Sequence, residues 1–202
     1  MSDVLSRLKK LTKCLHIYIA ETPGRGFGIF AARAFPLGST LVVDEDGDYY
    51  AGVMTLAEAQ ARGYDLSQDL FQIGTDAFLL PNANLDDFVN HSCDPNTGLQ
   101  LTAAGYRMIA LRDIARGDEL TYDYSTYISG TPERMSCACG AANCRGTIGA
   151  FETLPPALQD RYLAAGVVGR FVAAAARNAA IQDAARAESG AGVRAGGEAV
   201  SA

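Results

Sequence analysis

Asn90-His91-Ser92-Cys93-Asp94-Pro95-Asn96 and Glu119-Leu120-Thr121-Tyr122-Asp123-Tyr124 are the two stretches on which the reading of this chain turns. The first is a polar loop built around a histidine and a thiol. The second is a short strand ending in two tyrosines, which alternation places on one face with Asp123 on the other. Close behind come Cys137-Ala138-Cys139-Gly140 and then Cys144, three thiols in the spacing C-x-C-x4-C. A soluble core requires none of these in that order. The thiols point to a metal, and a tetrahedral zinc site takes four ligands. The trio therefore lacks one, and Cys14 and Cys93 are the remaining sulfur donors. An iron–sulfur cluster would also take four thiolates, but the short C-x-C with no second repeat argues against it.

The 202 residues, 49% of them hydrophobic, suffice for one good core with an appendage. A net charge of −6 weighs against sequence-independent nucleic-acid binding, which needs a basic face, and is compatible with a basic peptide segment as partner. The charged start (Arg7, Lys9, Lys10, Lys13) is followed by no apolar stretch of the kind a secretory signal carries. Arg170 and Arg177 interrupt the most apolar helical run, so no membrane span is expected. Five cysteines in such a chain favour metal binding over structural disulfides. The expectation is a soluble cytoplasmic protein, and the alanine-rich composition suggests a bacterial source.

Short strands with Gly/Pro punctuation fill the first two thirds. Leu15–Ile19, Ile29–Ala32, Thr40–Asp44, Leu70–Ile73, Ala77–Leu80, Leu99–Leu101, Tyr106–Leu111 and Glu119–Tyr122 read as strands. Gly24-Arg25-Gly26-Phe27-Gly28 reads as a glycine turn and Asp46-Gly47 as a hairpin dipeptide. Thr55-Leu56-Ala57-Glu58 is a capping box opening a helix to about Arg62. Asp44-Glu45-Asp46-Gly47-Asp48 fails as a calcium loop, because Tyr49 stands at its glycine position and Thr55 at its twelfth. Pro155-Pro156 opens an alanine-rich helical region of two helices, Ala157–Ala165 and about Val168–Glu188. Residues 189–202 have the Gly/Ala/Ser character of a disordered tail.

Phe88-Val89-Asn90-His91-Ser92-Cys93-Asp94-Pro95-Asn96, Glu119–Tyr124 and the cysteine trio together resemble the SET-domain protein lysine methyltransferases with a C-terminal (post-SET) zinc motif. The resemblance runs from about His16 to Gly146. It implies a mainly β fold, β-clip-like, of small curved sheets with a knot-like C-terminal crossing, plus C-terminal α-helices. The implied organisation is a lead-in over 1–14, a SET domain over 15–130, a zinc segment over 131–149, helices over 150–188 and a tail over 189–202. The implied activity is methyl transfer from S-adenosylmethionine to the ε-amine of a lysine in a basic protein or peptide. Arg25-Gly26-Phe27 matches the family's cofactor-contacting Lys/Arg-Gly-aromatic motif, and Asn90-His91 its second cofactor contact. Tyr124 falls at the position of the catalytic tyrosine, also against the cofactor. Tyr122 falls at the position associated with methylation state. The implied zinc ligands are Cys93, Cys137, Cys139 and Cys144.

The chain also departs from the family. Asp86-Asp87 stand where many members place Ala-Arg, and Asp69 where many have a channel tyrosine. Tyr49, Tyr50 and Tyr64 are candidates to substitute for it in space. His16 and Cys14 read as structural. The competing reading is a catalytically silent SET module that binds peptides or partners.

Overall fold

The computed structural model describes residues 16–45, 49–65, 70–81, 85–132 and 134–192. The lead-in with Cys14, the Asp46-Gly47 dipeptide, Asp48, Asp69 and residues 193–202 lie outside the described residues.

Among the described residues, four small sheets carry the fold. β1 (Ile17–Thr22), β2 (Gly26–Ala31), β6 (Asn90–His91) and β9 (Glu119–Tyr122) form one sheet in the order β1-β2-β9-β6. β3 (Thr40–Asp44), β7 (Thr97–Leu101) and β8 (Tyr106–Ala110) form another in the order β3-β8-β7. β4 (Phe71–Gly74) pairs with β5 (Ala77–Leu79), and β10 (Met135–Ser136) with β11 (Thr147–Ile148). The expected capping box opens α1 (Leu56–Ala61): the Thr55 side chain accepts from the Glu58 N–H, and Glu58 reaches back to Thr55. Two more helices follow the sheets, α2 (Pro156–Ala164) and α3 (Arg170–Gly192), the latter running past the expected end at Glu188.

The placement of β9 brings the two decisive stretches together. It pairs antiparallel with β2 (Ile29 opposite Leu120) and parallel with β6 (Asn90 opposite Thr121, His91 opposite Tyr122). A strand late in the chain is thus inserted between an early strand and the polar loop. Asn96, the last residue of that loop, fixes the arrangement. Its amide donates to the Glu119 carbonyl at 2.8 Å and its oxygen accepts the Thr121 N–H at 2.9 Å.

The apolar faces of the sheets close on Ile29, Phe35, Val42, Val89, Leu99, Met108, Ile114 and Leu120, all buried. Burial of each such large side chain contributes about 1.5–3 kcal/mol. Phe151, Leu154, Tyr162, Val167 and Val172 form a second cluster between the C-terminal helices and the sheets. Gly98 on β7 makes that docking possible, since a Cβ there would stand 2.3 Å from Val167.

The structure differs from the sequence expectations at two informative places. The expected glycine turn over Gly24–Gly28 extends only as far as Arg25; β2 begins at Gly26. Tyr124 does not lie on a strand. β9 ends at Tyr122, and Tyr124–Tyr127 is a 3-10 turn that the Asp123 side chain caps by accepting the Ser125 N–H. A short acidic side chain at a strand end competes for backbone donors in this way and turns the chain.

Candidate active site and thiolate cluster

Glu119, at the start of β9, organises the β2 side of the site. Arg25 Nη2 lies 2.7 Å from Glu119 Oε2, and the Asn90 amide donates to Glu119 Oε1 at 2.8 Å and to the Phe27 carbonyl at 3.1 Å. The Arg25-Gly26-Phe27 backbone is thereby tied to Asn90, although Phe27 as a residue is 53% exposed. Gly26 takes a φ of +73°, the left-handed region, where glycine is unstrained. Gly28 is needed for space instead: a Cβ there would meet Thr22 Oγ1 at 2.6 Å, Glu119 Oε1 at 2.7 Å and the Asn90 amide at 3.0 Å. Gly28→Ala is therefore expected to push these groups apart and destabilise the fold by about 1–3 kcal/mol. Chemical denaturation reads this as a lower midpoint at unchanged slope. Beside this cluster a cleft of about 280 Å³ opens between Arg25, Ser92, Glu119, Thr121 and residues Cys139 to Ala141.

The two tyrosines meet despite the turn between them. The Tyr122 and Tyr124 ring centroids are 4.8 Å apart, tilted at 44°. The Tyr124 hydroxyl donates to the Val89 carbonyl at 2.9 Å, and its backbone N–H donates to His91 Nδ1 at 3.2 Å. Burial pushes the Tyr124 phenol up to about 12 and that of Tyr122 well above its ordinary value, so neither is a base near neutral pH. Burial likewise pushes His91 down to about 4 against the opposing pull of Asp123, which keeps the ring neutral. Because Nδ1 accepts from a backbone N–H, the ring proton sits on Nε2, which faces Cys93 Sγ at 3.3 Å.

Asp123, which the sequence placed merely opposite the tyrosines, is a buried hub. Its Oδ1 accepts from Ser125 N–H at 3.1 Å and from Arg145 at 2.8 Å, and its Oδ2 accepts from the Tyr162 hydroxyl at 3.2 Å. The thiol segment (Arg145) and the C-terminal helix α2 (Tyr162) thus converge on the residue between the two tyrosines. Buried carboxylates persist only when donors surround them in this way.

The four thiols meet at the far end of β6. Cys93 Sγ is 3.7 Å from Cys137 Sγ, which is 3.6 Å from Cys144 Sγ. Cys93, Cys137 and Cys139, with His91, present ligand atoms all within 4.8 Å of one another. Tetrahedral zinc with Zn–S bonds of about 2.3 Å sets its sulfurs about 3.8 Å apart, so this donor set fits the metal. Backbone N–H groups are already aimed at the sulfurs, from Cys93 to Cys139 Sγ and from Arg145 to Cys93 Sγ, both at 3.4 Å. Burial pushes the Cys137 thiol up, helped by its sulfur neighbours. Burial also acts to raise Cys139, but hydrogen bonds from the Cys93 and Ala141 backbones outweigh it and bring that thiol down to about 6. His91 joins this group where sequence reasoning had assigned it to the cofactor alone. With its Nε2 proton directed at Cys93, it is an outer partner of the thiolates.

The SET-domain family matches residues 26–125. Curated relatives include the Drosophila melanogaster histone-lysine N-methyltransferase trr, 31% identical over 137 residues, covering 64% of this chain and 6% of the relative. The human histone-lysine N-methyltransferase 2B is 33% identical over 151 residues, covering 68% and 5%. SUV39H2 of Xenopus tropicalis is 30% identical over 155 residues, covering 61% and 36%. The chain thus spans well under half the length of these relatives. Among solved structures, the methyltransferase domain of human SETMAR aligns with a TM-score of 0.50 at 23% identity over 67% of this chain and 58% of that one. Arabidopsis thaliana SUVH6 in complex with SAM aligns at 0.51 and 24% over 65% and 33%. Residues 26–125 are a SET domain. Its sheets are those of the SET fold, and its relatives are histone-lysine methyltransferases.

Proposed function

We propose that this protein transfers the methyl group of S-adenosylmethionine to the ε-amine of a lysine in a basic protein segment. The observation that carries this reading is the meeting of the Tyr122 and Tyr124 rings at 4.8 Å, directly beside the Asn90–His91 strand. Arg25, Gly26, Phe27, Asn90 and His91 hold the donor, with Tyr124 between donor and amine, and the donor supplies an electrophilic methyl group. Cys93, Cys137, Cys139 and Cys144 hold a structural zinc that keeps residues 131–149 over the donor. The net charge of −6 favours a lysine-rich partner.

The chemical obstacle is the proton on the substrate. A lysine of pKa about 10.4 costs roughly 4.6 kcal/mol to neutralise at pH 7. A desolvated channel and a nearby sulfonium both favour the neutral amine. The Tyr124 hydroxyl contributes by orientation, since its phenol is too weak an acid to serve as a base.

Incubation with radiolabelled S-adenosylmethionine and a mixture of basic proteins tests the reading, with Tyr124→Phe as control. Label on a lysine supports it; donor and peptide binding without transfer identifies a silent binding module instead. The Tyr122 hydroxyl, set beside the amine, limits the product to lower methylation states. Tyr122→Phe is expected to shift the product toward di- and trimethyl-lysine by mass spectrometry, and an unchanged distribution removes Tyr122 from this role.

A further inference from the structure

Asp86 is a carboxylate the fold gives no evident reason to bury. It sits in the 3-10 turn Leu85–Phe88, directly before Val89, whose carbonyl receives the Tyr124 hydroxyl. The Val89 N–H closes the turn on the Asp86 carbonyl at 3.1 Å. The Tyr49 hydroxyl donates to Asp86 Oδ2 at 2.6 Å, while Oδ1 is buried with no hydrogen-bond partner among the described residues. An unmatched buried acceptor is costly and rare, and marks a place where a donor belongs. Tyr49 packs on Tyr106 with ring centroids 5.2 Å apart, and both lie in one buried cluster with Tyr122, against which Tyr124 packs. The open oxygen therefore belongs to the same tyrosine cluster as the proposed amine site.

We propose that Asp86 receives the substrate lysine, its open Oδ1 binding the ε-ammonium and taking the proton that must leave before methyl transfer. This rests on the methyltransferase reading above. An N–H bond breaks and its proton passes to Oδ1. The freed nitrogen pair forms the N–C bond to the sulfonium donor's methyl as the C–S bond breaks, its electrons staying on sulfur. Asp86 then returns one proton to solvent per methyl group transferred.

Electrostatics agree with the geometry. Burial, with Asp87 and Asp44 adding like charge, pushes the Asp86 carboxyl up to about 7 against the Tyr49 hydrogen bond. The groups acting on it are thus Asp87 on its own turn, Asp44 on β3 and the phenols of Tyr49 and Tyr122. Such a carboxyl is ionised above neutral pH and lies closer to the lysine in proton affinity than an exposed aspartate does.

The test is kcat/KM against pH on a lysine peptide for the wild type, Asp86→Asn and Tyr49→Phe, with donor binding measured by calorimetry. The wild type is expected to rise to a plateau with an inflection near 7. Asp86→Asn is expected to fall about 100-fold or more at pH 7. It should also lose that inflection and climb with pH throughout, because it must capture the rare neutral lysine. Removing the Tyr49 hydroxyl takes away a hydrogen bond that stabilises the ionised carboxylate, so Tyr49→Phe is expected to move the inflection to higher pH. An Asp86→Asn variant that binds donor yet keeps the wild-type rate and inflection overturns the inference while leaving methyl transfer intact. If that variant fails to bind donor, an unshifted inflection in Tyr49→Phe overturns it. A wild-type protein that transfers no methyl to any basic substrate overturns the methyltransferase reading itself, and this inference with it.

Discussion

Tyr124→Phe is expected to lower kcat by about 100-fold or more while leaving the protein folded and able to bind the methyl donor. The size follows from what one oriented hydroxyl contributes when donor and acceptor must be aligned, typically two to three orders of magnitude. The variant is clean because the ring has supports other than its oxygen. It packs 4.8 Å from Tyr122 and 5.3 Å from His91, and its backbone N–H remains bonded to His91 Nδ1. The lost hydrogen bond to the Val89 carbonyl is worth about 0.5–1.5 kcal/mol of stability. Since the phenol of Tyr124 is pushed up to about 12, it stays protonated across the working range, and its removal leaves every pH inflection in place. This separates Tyr124 from Asp86, whose replacement changes the profile itself. Single-turnover rates and calorimetry on the donor measure both halves of the expectation. A loss smaller than fivefold with donor bound would remove Tyr124 from the chemistry.

The parts of this site that could be read in the sequence are those whose partners are local or repeat a family spacing. Thr55 and Glu58 are three residues apart, so their mutual capping could be read directly and is observed. The alternation of Glu119–Tyr122 gave the strand, and the thiol spacing together with Cys93 gave four sulfurs that the structure brings into one cluster. The rest depended on distant partners. Asp123 could be placed only on the face opposite two tyrosines, because its donors Arg145 and Tyr162 are 22 and 39 residues further on. Gly28 looked like a turn glycine, yet the space it leaves is filled by Glu119 and Asn90. Asp86 stood out only as a departure from a family pattern. What makes it notable is Tyr49, 37 residues earlier, which holds one oxygen and leaves the other open.

Chelation of the metal is expected to release the whole segment from Met135 to Ile148 and, through it, to disable the tyrosine pair. Besides the thiols, the described residues hold the segment by a short sheet, the Arg145–Asp123 pair and an Asn143 amide donating to the Cys93 carbonyl at 3.4 Å. Its own sheet consists of two residue pairs, Met135 with Ile148 and Ser136 with Thr147, and Cys137, Cys139 and Cys144 are only half-buried. Apparent binding of structural zinc in small thiolate sites contributes about 10–16 kcal/mol, far more than so short a sheet supplies. Arg145 follows directly after Cys144, and its side chain pairs with the fully buried Asp123 at 2.8 Å. Withdrawing one partner from a buried pair costs about 3–5 kcal/mol, because the other charge is left without compensation. The loss is therefore not confined to that segment: it reaches the capped turn that sets Tyr124 against Tyr122 and Val89. Metal analysis is expected to give one zinc per chain. A strong chelator is expected to lower Tm by about 10 °C or more, given roughly 2–4 °C per kcal/mol for a chain of this size. Donor affinity and methyl transfer should fall together, and zinc added back should restore both. Cys93→Ser should reproduce the effect without chelator, since Cys93 is the one of these four thiols that lies outside the segment, next to β6. A chelated protein that keeps its native Tm and its donor affinity would show that the thiols are packed side chains, and that Arg145 holds Asp123 without help from a metal.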